Sequence, residues 1–405
     1  MSAKIRLLII DALFPVIHGQ WRTTEINYFL NHPQFSTDIL ISPCFDITQT
    51  LNQTLTESFM HYKRLYNYLD DYNICIFNPK FNCLNQFNKS IDGKFYNSKY
   101  PGDFLFTSSP VVDFSTYQVV YVIFLGTYQS NLGWINSGNW SVVCKIYPGG
   151  GYVSDLQAIN KSIANIRSQN HLVITTQQFI TNNLLQHVPR IETILGVPLL
   201  EPTFQSPVKH FQAHKLDICM SCLGYYPKKG IDDYLKIIEH FEQQYPDLAI
   251  RFHLVGCTKQ LLTSRGLITS SELTNLTFHG VMCPQALNTL YIQTIDVIVS
   301  LSKICPGADA DGFPIGGEAM ARGCIPILTD PYQSNVYFNY TEQHGLVIPS
   351  FDLERIDSFI LKLYHSVELR NELSNNTQVK SYDIFCSQRQ LDPIAEFLAI
   401  EANKS

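Results

Sequence analysis

Glycines and a carboxylate with the spacing of a phosphate-binding turn lie between residues 305 and 330. Gly316 and Gly317 are expected to open a short helix, and two glycines there leave backbone N–H groups uncovered for a phosphate at the positive end of the helix dipole. Glu318, in the first turn, can accept hydrogen bonds from paired hydroxyl groups such as those of a ribose. The stretch therefore suits a sugar nucleotide. The competing interpretation is a tight turn in which Glu318 only caps the helix.

The segments on either side of these residues have the composition of buried strands. Asp296 to Leu301 is an apolar run of strand length, and Ile325 to Thr329 is a second one. Gly323 is expected to end the intervening helix, because glycine is the usual residue just past a helix C-terminus. The whole stretch is thus predicted to be strand, glycine-rich turn, helix and strand.

The alternation of strand and helix patterns occurs twice along the 405 residues. It predicts an α/β protein with two Rossmann-like, doubly wound domains that face a central cleft. A stretch with two prolines and little apolar periodicity separates the two patterns, so we place the domains at residues 1–205 and 206–380. Residues 381–405 are expected to form a C-terminal helix, and a return of this helix to the first domain is left open.

The first half begins with the strand, loop and helix of a nucleotide-type domain. His18 and Gly19 lie in this loop, and Trp21 to Leu30 is predicted to be the helix. Gly19 would give a ligand close access to the backbone, or is an ordinary turn glycine. The strand Ser141 to Ile146 leads into Tyr147 to Gly151, a second glycine-rich turn at a carboxyl end, where ligands bind in open α/β sheets.

Composition excludes several classes of protein. Hydrophobic residues make up 45% and charged residues 16%, which is typical of a globular protein. The formal net charge is −6 and neither half is basic, so a nucleic-acid partner is not expected. No apolar run reaches the roughly 20 residues that span a bilayer. We expect a cytoplasmic protein, with peripheral contact to a membrane left open.

Cysteines and histidines offer little sign of chemistry. The eleven cysteines are scattered, which favours a reducing compartment. Cys219 and Cys222 have two residues between them but no second pair at zinc spacing, so both are interpreted as buried strand residues. His253 and His279 lie in predicted strands, where a hydrogen-bonded core histidine is the simpler interpretation.

An ordered series of motifs in the second half resembles the nucleotide-sugar-binding domain of GT-B glycosyltransferases, most closely family 4. The series extends over about 115 residues, from the Lys-Gly loop to the paired-acid signature, whereas the first half is similar mainly in layout. The motifs are Gly224–Ile231, Phe252–Gly256, Phe278–Gly280, Leu290–Tyr291, Asp296–Ser300 and Asp311–Met320.

The resemblance implies roles for residues on both sides of the cleft. Glu318 would bind the ribose hydroxyls, Asp311 would lie near the hydroxyls of the donor sugar, and Lys229 would neutralise the diphosphate; these three are the catalytic candidates. The residues implied to bind the donor are Gly19, Gly224, Lys228, Lys229, Ile315, Gly316, Gly317 and Glu318. The candidates for the acceptor side are His18, Tyr147 and Gly150.

The sequence departs from the family pattern at two positions. Asp311 precedes Glu318 by seven residues, whereas family members commonly have a Glu eight residues before the second Glu. Tyr225 stands where an Arg is common, so one phosphate-binding cation is either absent or supplied by Lys228. Asp309 and Asp311 also form a D-x-D pair, but that metal-binding motif belongs to a different transferase fold. The resemblance therefore implies no metal and no cofactor beyond the donor.

Three functions are compatible with these residues. The first is a retaining glycosyltransferase that moves a sugar from a UDP- or GDP-sugar to a glycan or lipid-linked acceptor, and its stereochemistry follows from the resemblance alone. The second is a nucleotide-sugar epimerase of the same two-domain plan, for which no acid–base pair stands out. The third is a nucleotide-sugar-binding protein that has lost turnover, which the residue at Tyr225 suggests.

Overall fold

In the computed structural model, the chain forms two parallel β-sheets, each covered by helices. The structure describes residues 3–11, 20–41, 74–76, 104–106, 114–136, 138–147, 156–199, 209–222, 227–268, 273–280, 282, 284–304, 314–333 and 338–404.

The first sheet has eight strands in the order β4-β3-β2-β1-β5-β6-β7-β8. Its strands are β1 Ile5–Asp11, β2 Phe35–Ile41, β3 Ile74–Ile76, β4 Phe104–Phe106, β5 Val119–Ile123, β6 Ser141–Ile146, β7 Leu172–Thr175 and β8 Ile191–Thr193. Its helices are α1 Gln20–Asn31, α2 Leu125–Ser130, α3 Leu132–Ile135, α4 Leu156–Ser168 and α5 Gln178–Leu184, with a 3-10 turn at Phe114–Thr116. The central strands are buried apolar runs, as parallel strands covered on both faces require.

The second sheet has six strands in the order β11-β10-β9-β12-β13-β14. Its strands are β9 Leu216–Ser221, β10 Ile250–Val255, β11 Leu276–Gly280, β12 Val297–Ser300, β13 Ile325–Thr329 and β14 Leu346–Ile348. The helices that follow β9 in the chain are α6 Ile231–Gln244, α7 Lys259–Ser264, α8 Pro284–Gln293, α9 Pro314–Met320, α10 Leu353–His365, α11 Val367–Phe385 and α12 Ser387–Ala402. A 3-10 turn, Pro227–Lys229, precedes α6. None of the described helices has both the length and the apolar character needed to cross a bilayer.

Strand order reverses once in each sheet, and the reversal marks where a ligand is expected. In the first sheet β1 lies between β2 and β5, and in the second β9 lies between β10 and β12. In open parallel sheets the crevice outside the carboxyl ends of the strands at such a point is the ligand site. The carboxyl edges of the two sheets also approach each other, because Phe179, which follows β7, contacts Tyr332, which follows β13, with ring centroids 4.9 Å apart.

The last helix, α12, packs against the first sheet although it follows the second in the chain. Its apolar face, Leu391, Ile394 and Leu398, is fully buried in a core shared with β1, β5 and α1. Ser141 Oγ at the start of β6 donates to the backbone carbonyl of Glu401 at 2.8 Å. The amino-terminal sheet is therefore covered on one face by the last described helix.

Both passages of the chain between the sheets meet at one point. Leu199, which follows β8, donates its N–H to the carbonyl of Phe385 at 2.8 Å, and it pairs with Cys386 in an isolated parallel bridge. Phe385 ends α11 and has no exposed surface. The outgoing and returning segments are thus hydrogen-bonded to each other beside the second sheet.

Local residues set the bounds of the last helices. Residues 353–385 form two helices, because Ser366 caps α11 by accepting from the N–H of Leu369 at 3.1 Å. Within residues 381–405, where a C-terminal helix is expected, α11 continues to Phe385 and α12 begins at Ser387, with Pro393 inside it. Helix α6 is amphipathic, with Tyr234, Ile237, Ile238 and Phe241 buried on one face.

Candidate functional site

Helix α9 is the element expected to hold a diphosphate, and it begins earlier than the sequence suggested. Its first residue is Pro314, so the prediction that Gly316 and Gly317 open the helix is wrong by two residues. Proline is favoured at a first helical position because it lacks an N–H that would have no partner there. The remaining N–H groups of the first turn, those of Ile315 and Gly316, have no acceptor inside the helix. Gly323 ends the segment at φ +76°, as predicted.

Gly317 packs against the end of α11, and its role in donor binding stays a prediction. A Cβ atom on Gly317 would lie 3.3 Å from two carbons of the Phe385 ring. Glycine therefore lets α9 press closely on the end of α11, at the point where the two chain passages meet. The first turn of α9 thus lies in contact with the connection between the two sheets.

Glu318, the expected ribose ligand, is half-buried in α9. Tyr291 of α8 is buried and hydrogen-bonded to the side chain of Ser221, the last residue of β9. Burial raises the pKa of Tyr291 well above its usual value, and the negative charge of Glu318 raises it further. Glu318 therefore lies close to Tyr291 and Ser221, where β9 reaches the strand-order reversal.

The Lys-Gly loop is fixed at the same reversal. Gly230 has φ +71°, and a Cβ atom there would lie 2.1 Å from the carbonyl oxygen of Leu301, so only glycine fits between the loop and the end of β12. The backbone carbonyl of Lys228 accepts from the N–H of Lys303 at 2.9 Å. Lys228 and Lys229 are half-buried. The two lysines and Glu318 are thus brought to the carboxyl ends of neighbouring strands.

A third lysine, which the sequence did not single out, lies beside this loop. Lys303 Nζ contacts Asp232 Oδ2 at 2.7 Å and Asp233 Oδ2 at 2.6 Å. Burial lowers the pKa of Lys303, but its hydrogen bonds to these two carboxylates outweigh that effect and raise the pKa overall. Lys303 therefore neutralises the acidic start of α6.

Five of the predicted site residues lie outside the described residues, and they stay predictions: His18, Gly19, Gly150, Gly224 and Asp311. Within the described parts of the chain, no three His, Cys, Asp or Glu side chains are grouped as metal ligands.

Tyr147, the acceptor-side candidate that is described, belongs to a buried charge network in the first domain. Its hydroxyl donates to one oxygen of Glu25, and the other oxygen accepts from Tyr121 Oη and, at 2.9 Å, from Lys145 Nζ. Glu25 and Lys145 have no exposed surface. Burial lowers the pKa of Lys145, and the Glu25 carboxylate opposes that effect. The Tyr147 hydroxyl is therefore engaged inside the protein, and its ring packs against Trp21, with ring centroids 4.1 Å apart.

Beside this network, aromatic rings surround a second buried cation at the end of β1. Arg22 pairs with Asp11 at 3.3 Å, and both are buried. The Arg22 guanidinium lies 5.1 Å from the Trp21 ring centroid and 4.8 Å from that of Phe124. Phe124 follows β5 with φ +78° and ψ 138°, a conformation that costs a bulky residue about 1–3 kcal/mol and that is found mainly at functional sites. The first domain thus carries a charged, aromatic cluster at its own strand-order reversal.

The two histidines expected to be structural lie away from both reversals. His253 Nε2 contacts Asp217 Oδ1 at 2.9 Å, and His253 Nδ1 contacts His279 Nε2 at 2.9 Å. Asp217 is the second residue of β9, toward the amino end of the strand. The prediction of a hydrogen-bonded core histidine is confirmed for His253, which is buried, whereas His279 is half-buried on the edge strand β11.

Comparison with known proteins agrees with this geometry. Residues 208–380 match the family model described as glycosyl transferases group 1. This segment is similar to the group 1 glycosyltransferases. It includes β9 to β14, both lysines of the 3-10 turn, and Glu318. No curated protein matches the chain.

Solved structures extend the likeness to the whole chain. HepE from Anabaena, in complex with UDP and glucose, is 13% identical with a TM-score of 0.61, and the alignment covers 98% of this chain and 100% of that one. Sucrose-phosphate synthase from Thermosynechococcus elongatus is 13% identical with a TM-score of 0.64, covering 99% and 100%. A mutant of TarM from S. aureus, in complex with UDP among other ligands, is 17% identical with a TM-score of 0.54, and the match spans 69% of this chain and only 55% of that one. The chain has the GT-B fold.

Sequence reasoning missed residues whose partners are distant in the chain. Arg22 and Glu25 lie in α1, where charged residues usually face solvent, and their charge partners, Asp11 and Lys145, lie on β1 and β6. Lys303 follows β12 by three residues and pairs with acids about 70 positions earlier. Their position along the chain could have indicated them, because Lys303 and Asp11 both lie at carboxyl ends of predicted strands beside a strand-order reversal.

Proposed function

We propose that the protein is a retaining glycosyltransferase that moves a sugar from a UDP- or GDP-sugar to a glycan or lipid-linked acceptor. The observation that carries the proposal is the placement of Lys228, Lys229 and Glu318 at the strand-order reversal of the segment that matches the group 1 model. The GT-B fold, with the carboxyl edges of both sheets approaching each other, supports a donor held between the domains.

Each element of this site has a role that follows from the chemistry of glycosyl transfer. Negative charge grows on the nucleotide diphosphate as the glycosidic bond breaks, and fixed cations and N–H dipoles stabilise that charge. Lys229 and the first-turn N–H groups of α9 would supply them, and we propose no metal for this step. Glu318 would accept hydrogen bonds from the ribose hydroxyls and hold the nucleotide in register.

The nucleotide is the part of the proposal that can be tested first. UDP is the first probe, because the structures of HepE and of the TarM mutant are described as complexes with UDP. GDP is tested beside it, and thermal unfolding is followed with each nucleotide. At about 100 times its dissociation constant, a ligand stabilises the folded protein by roughly 2.7 kcal/mol. No stabilisation by either nucleotide would contradict the proposal.

Two substitutions then test the assigned residues. Glu318→Gln and Lys229→Ala should each lower the transfer rate about a hundred-fold, the size expected when one stabilising group is removed. The matched controls are Glu354→Gln, in the first turn of α10, and Lys362→Ala, on an exposed position of the same helix. Equal losses in the controls would show a general effect on folding instead.

Product analysis separates transfer from epimerisation. With a donor and no acceptor, a transferase yields at most slow hydrolysis of the donor to free sugar and nucleoside diphosphate. An epimerase yields an isomerised donor that keeps its diphosphate linkage. An isomerised donor would therefore contradict transfer, and binding without any turnover across a panel of donors and glycans would indicate a nucleotide-sugar-binding protein.

A further inference from the structure

A buried arginine lies behind Glu318 in the turn that ends α9. Arg322 follows Glu318 by four residues, and its exposed fraction is 3%. Its Nη1 donates to the backbone carbonyl of Glu318 at 2.7 Å. Its Nε is buried and has no hydrogen-bond partner among the described residues. The guanidinium is thus directed back along the helix toward Glu318 with part of its bonding capacity unused.

A cation at the end of a helix interacts favourably with the helix dipole, by about 0.3–1 kcal/mol, which is less than the cost of burying the charge. Burying a cation is costly unless an opposite charge is near. Burial lowers the pKa of Arg322, and the negative charge of Glu318 is the largest contribution that opposes this effect. The neighbouring phenol of Tyr291 also responds to the Glu318 charge. Glu318 and Arg322 therefore act on each other electrostatically in a partly desolvated part of the site.

We propose that Arg322 is a positioning residue that holds Glu318 in place through its backbone carbonyl, so that nucleotide recognition requires the ribose hydroxyl groups. The inference rests on the proposed function and assigns a determinant of specificity within it. A carboxylate has two acceptor oxygens, which suit the 2′ and 3′ hydroxyls of a ribose. The guanidinium that donates to the Glu318 carbonyl restrains the turn that carries this carboxylate, and the hydrogen bond is stronger than a neutral one because its donor is charged.

The test compares a ribonucleotide with an analogue that has no hydroxyl groups on its sugar. Dissociation constants of UDP and of 2′,3′-dideoxy-UDP are measured by calorimetry for the wild type and for Arg322→Gln and Arg322→Lys, with GDP and 2′,3′-dideoxy-GDP in parallel. The wild type should prefer the ribonucleotide. Arg322→Gln should reduce this preference about ten-fold, which corresponds to about 1.4 kcal/mol, and leave the affinity for the dideoxy nucleotide within two-fold.

The matched control is a second buried arginine of the same domain. Arg370 has no exposed surface, and it donates to the backbone carbonyls of Lys215 at 2.8 Å and Gln212 at 2.9 Å, away from the site. Arg370→Lys should lower the melting temperature without changing the preference for the ribonucleotide. Arg322→Lys keeps the charge but loses the planar fork, so it remains informative should Arg322→Gln fail to fold.

A double substitution tests whether Arg322 acts through Glu318. Glu318→Gln should itself remove most of the preference, and adding Arg322→Gln should then cause little further loss. A preference unchanged in both Arg322 variants would overturn the inference and leave Arg322 as a helix cap. A wild type that binds neither UDP nor GDP would overturn the proposed function, and the inference with it.

Discussion

At the scale of single residues, two groups of neutralised charge are found among the buried residues that the structure describes. In the first domain Glu25 pairs with Lys145, and both phenols that contact Glu25 are donors to it. In the second domain Asp217 is surrounded by Arg251, Lys215 and His253. Removing Glu25 leaves Lys145 buried and unpaired, and removing Asp217 takes the acceptor from three donors, so each loss costs more than the interaction itself contributes.

Glu25→Gln should destabilise the first domain by about 3 kcal/mol, because it leaves the Lys145 ammonium buried without its counter-charge. The free energy of unfolding from urea titration measures the effect. Glu192→Gln, on an exposed position of β8, is the control and should change stability by less than about 0.5 kcal/mol. Equal effects of the two substitutions would contradict a structural role for the network.

Asp217 should make the second domain sensitive to acid. Burial raises its pKa, but hydrogen bonds from His253, Arg251 and Lys215 outweigh burial and depress the pKa well below its usual range. A depressed pKa in the folded state contributes stability above the unfolded pKa of about 4, and this contribution is lost as the pH falls below it. We therefore expect the free energy of unfolding to decline from about pH 5 toward pH 2.

Asp217→Asn should lower the free energy of unfolding at pH 7 by about 2 kcal/mol, the size of a hydrogen bond to a charged group. It should also make the decline of that free energy between about pH 5 and pH 2 less steep. Asp247→Asn, at an exposed position before β10, should do neither. If the free energy of unfolding declined equally steeply with falling pH in the Asp217 variant, other carboxylates would be the cause of the acid sensitivity.

At the scale of elements, the site depends on short turns that are pressed against strand ends. Gly230 is the tightest of these, since its neighbour is the backbone carbonyl of Leu301, which cannot move away as a side chain can. This turn also fixes the positions of Lys228 and Lys229 beside the end of β12. The position of the lysines therefore depends on the absence of a side chain at residue 230.

Gly230→Ala should destabilise the protein by about 3 kcal/mol, because it combines a left-handed backbone with a direct clash. The melting temperature and the affinity for UDP should both fall. Gly266→Ala separates the two causes, because Gly266 has φ +69° but no atom within 4 Å of an added Cβ. Only the backbone cost of about 1–2 kcal/mol should remain there.

The elements and the donor side of the site were more predictable than the acceptor side. Long apolar runs such as β12 and the regular periodicity of α6 were sufficient to place those elements. Pro314 also indicates the true start of α9, since proline favours a first helical position. The Glu25 network could not be predicted, because its members come from α1, β5 and β6 and no local pattern relates them. The roles assigned to Glu318 and Lys229 came from resemblance, and they remain proposals.

At the scale of the whole molecule, α12 joins the two domains into one structure. It covers the first sheet with Leu391, Ile394 and Leu398, while its start is tied to the segment that leaves β8. The stability of the first domain therefore depends on residues about 200 positions beyond its last strand.

Leu398→Ala should destabilise the first domain by about 3 kcal/mol, because it opens a cavity in a fully buried layer. Amide hydrogen exchange should accelerate in β5 and β6 more than in β9 and β12. Ile400→Ala, on the same helix but 53% exposed, is the control and should leave exchange unchanged. Faster exchange confined to the second sheet would contradict this assignment of α12.

The path of α12 also sets an order of events during translation. The segment from β9 to α11 is continuous, so it can fold as soon as it leaves the ribosome. The strands of the first sheet emerge earlier but must wait for α12, and at about 5–20 residues per second this delay is on the order of 10 to 40 seconds. During that interval one apolar face of the nascent first sheet lacks the helix that covers it, and the later-made domain is the first to be finished.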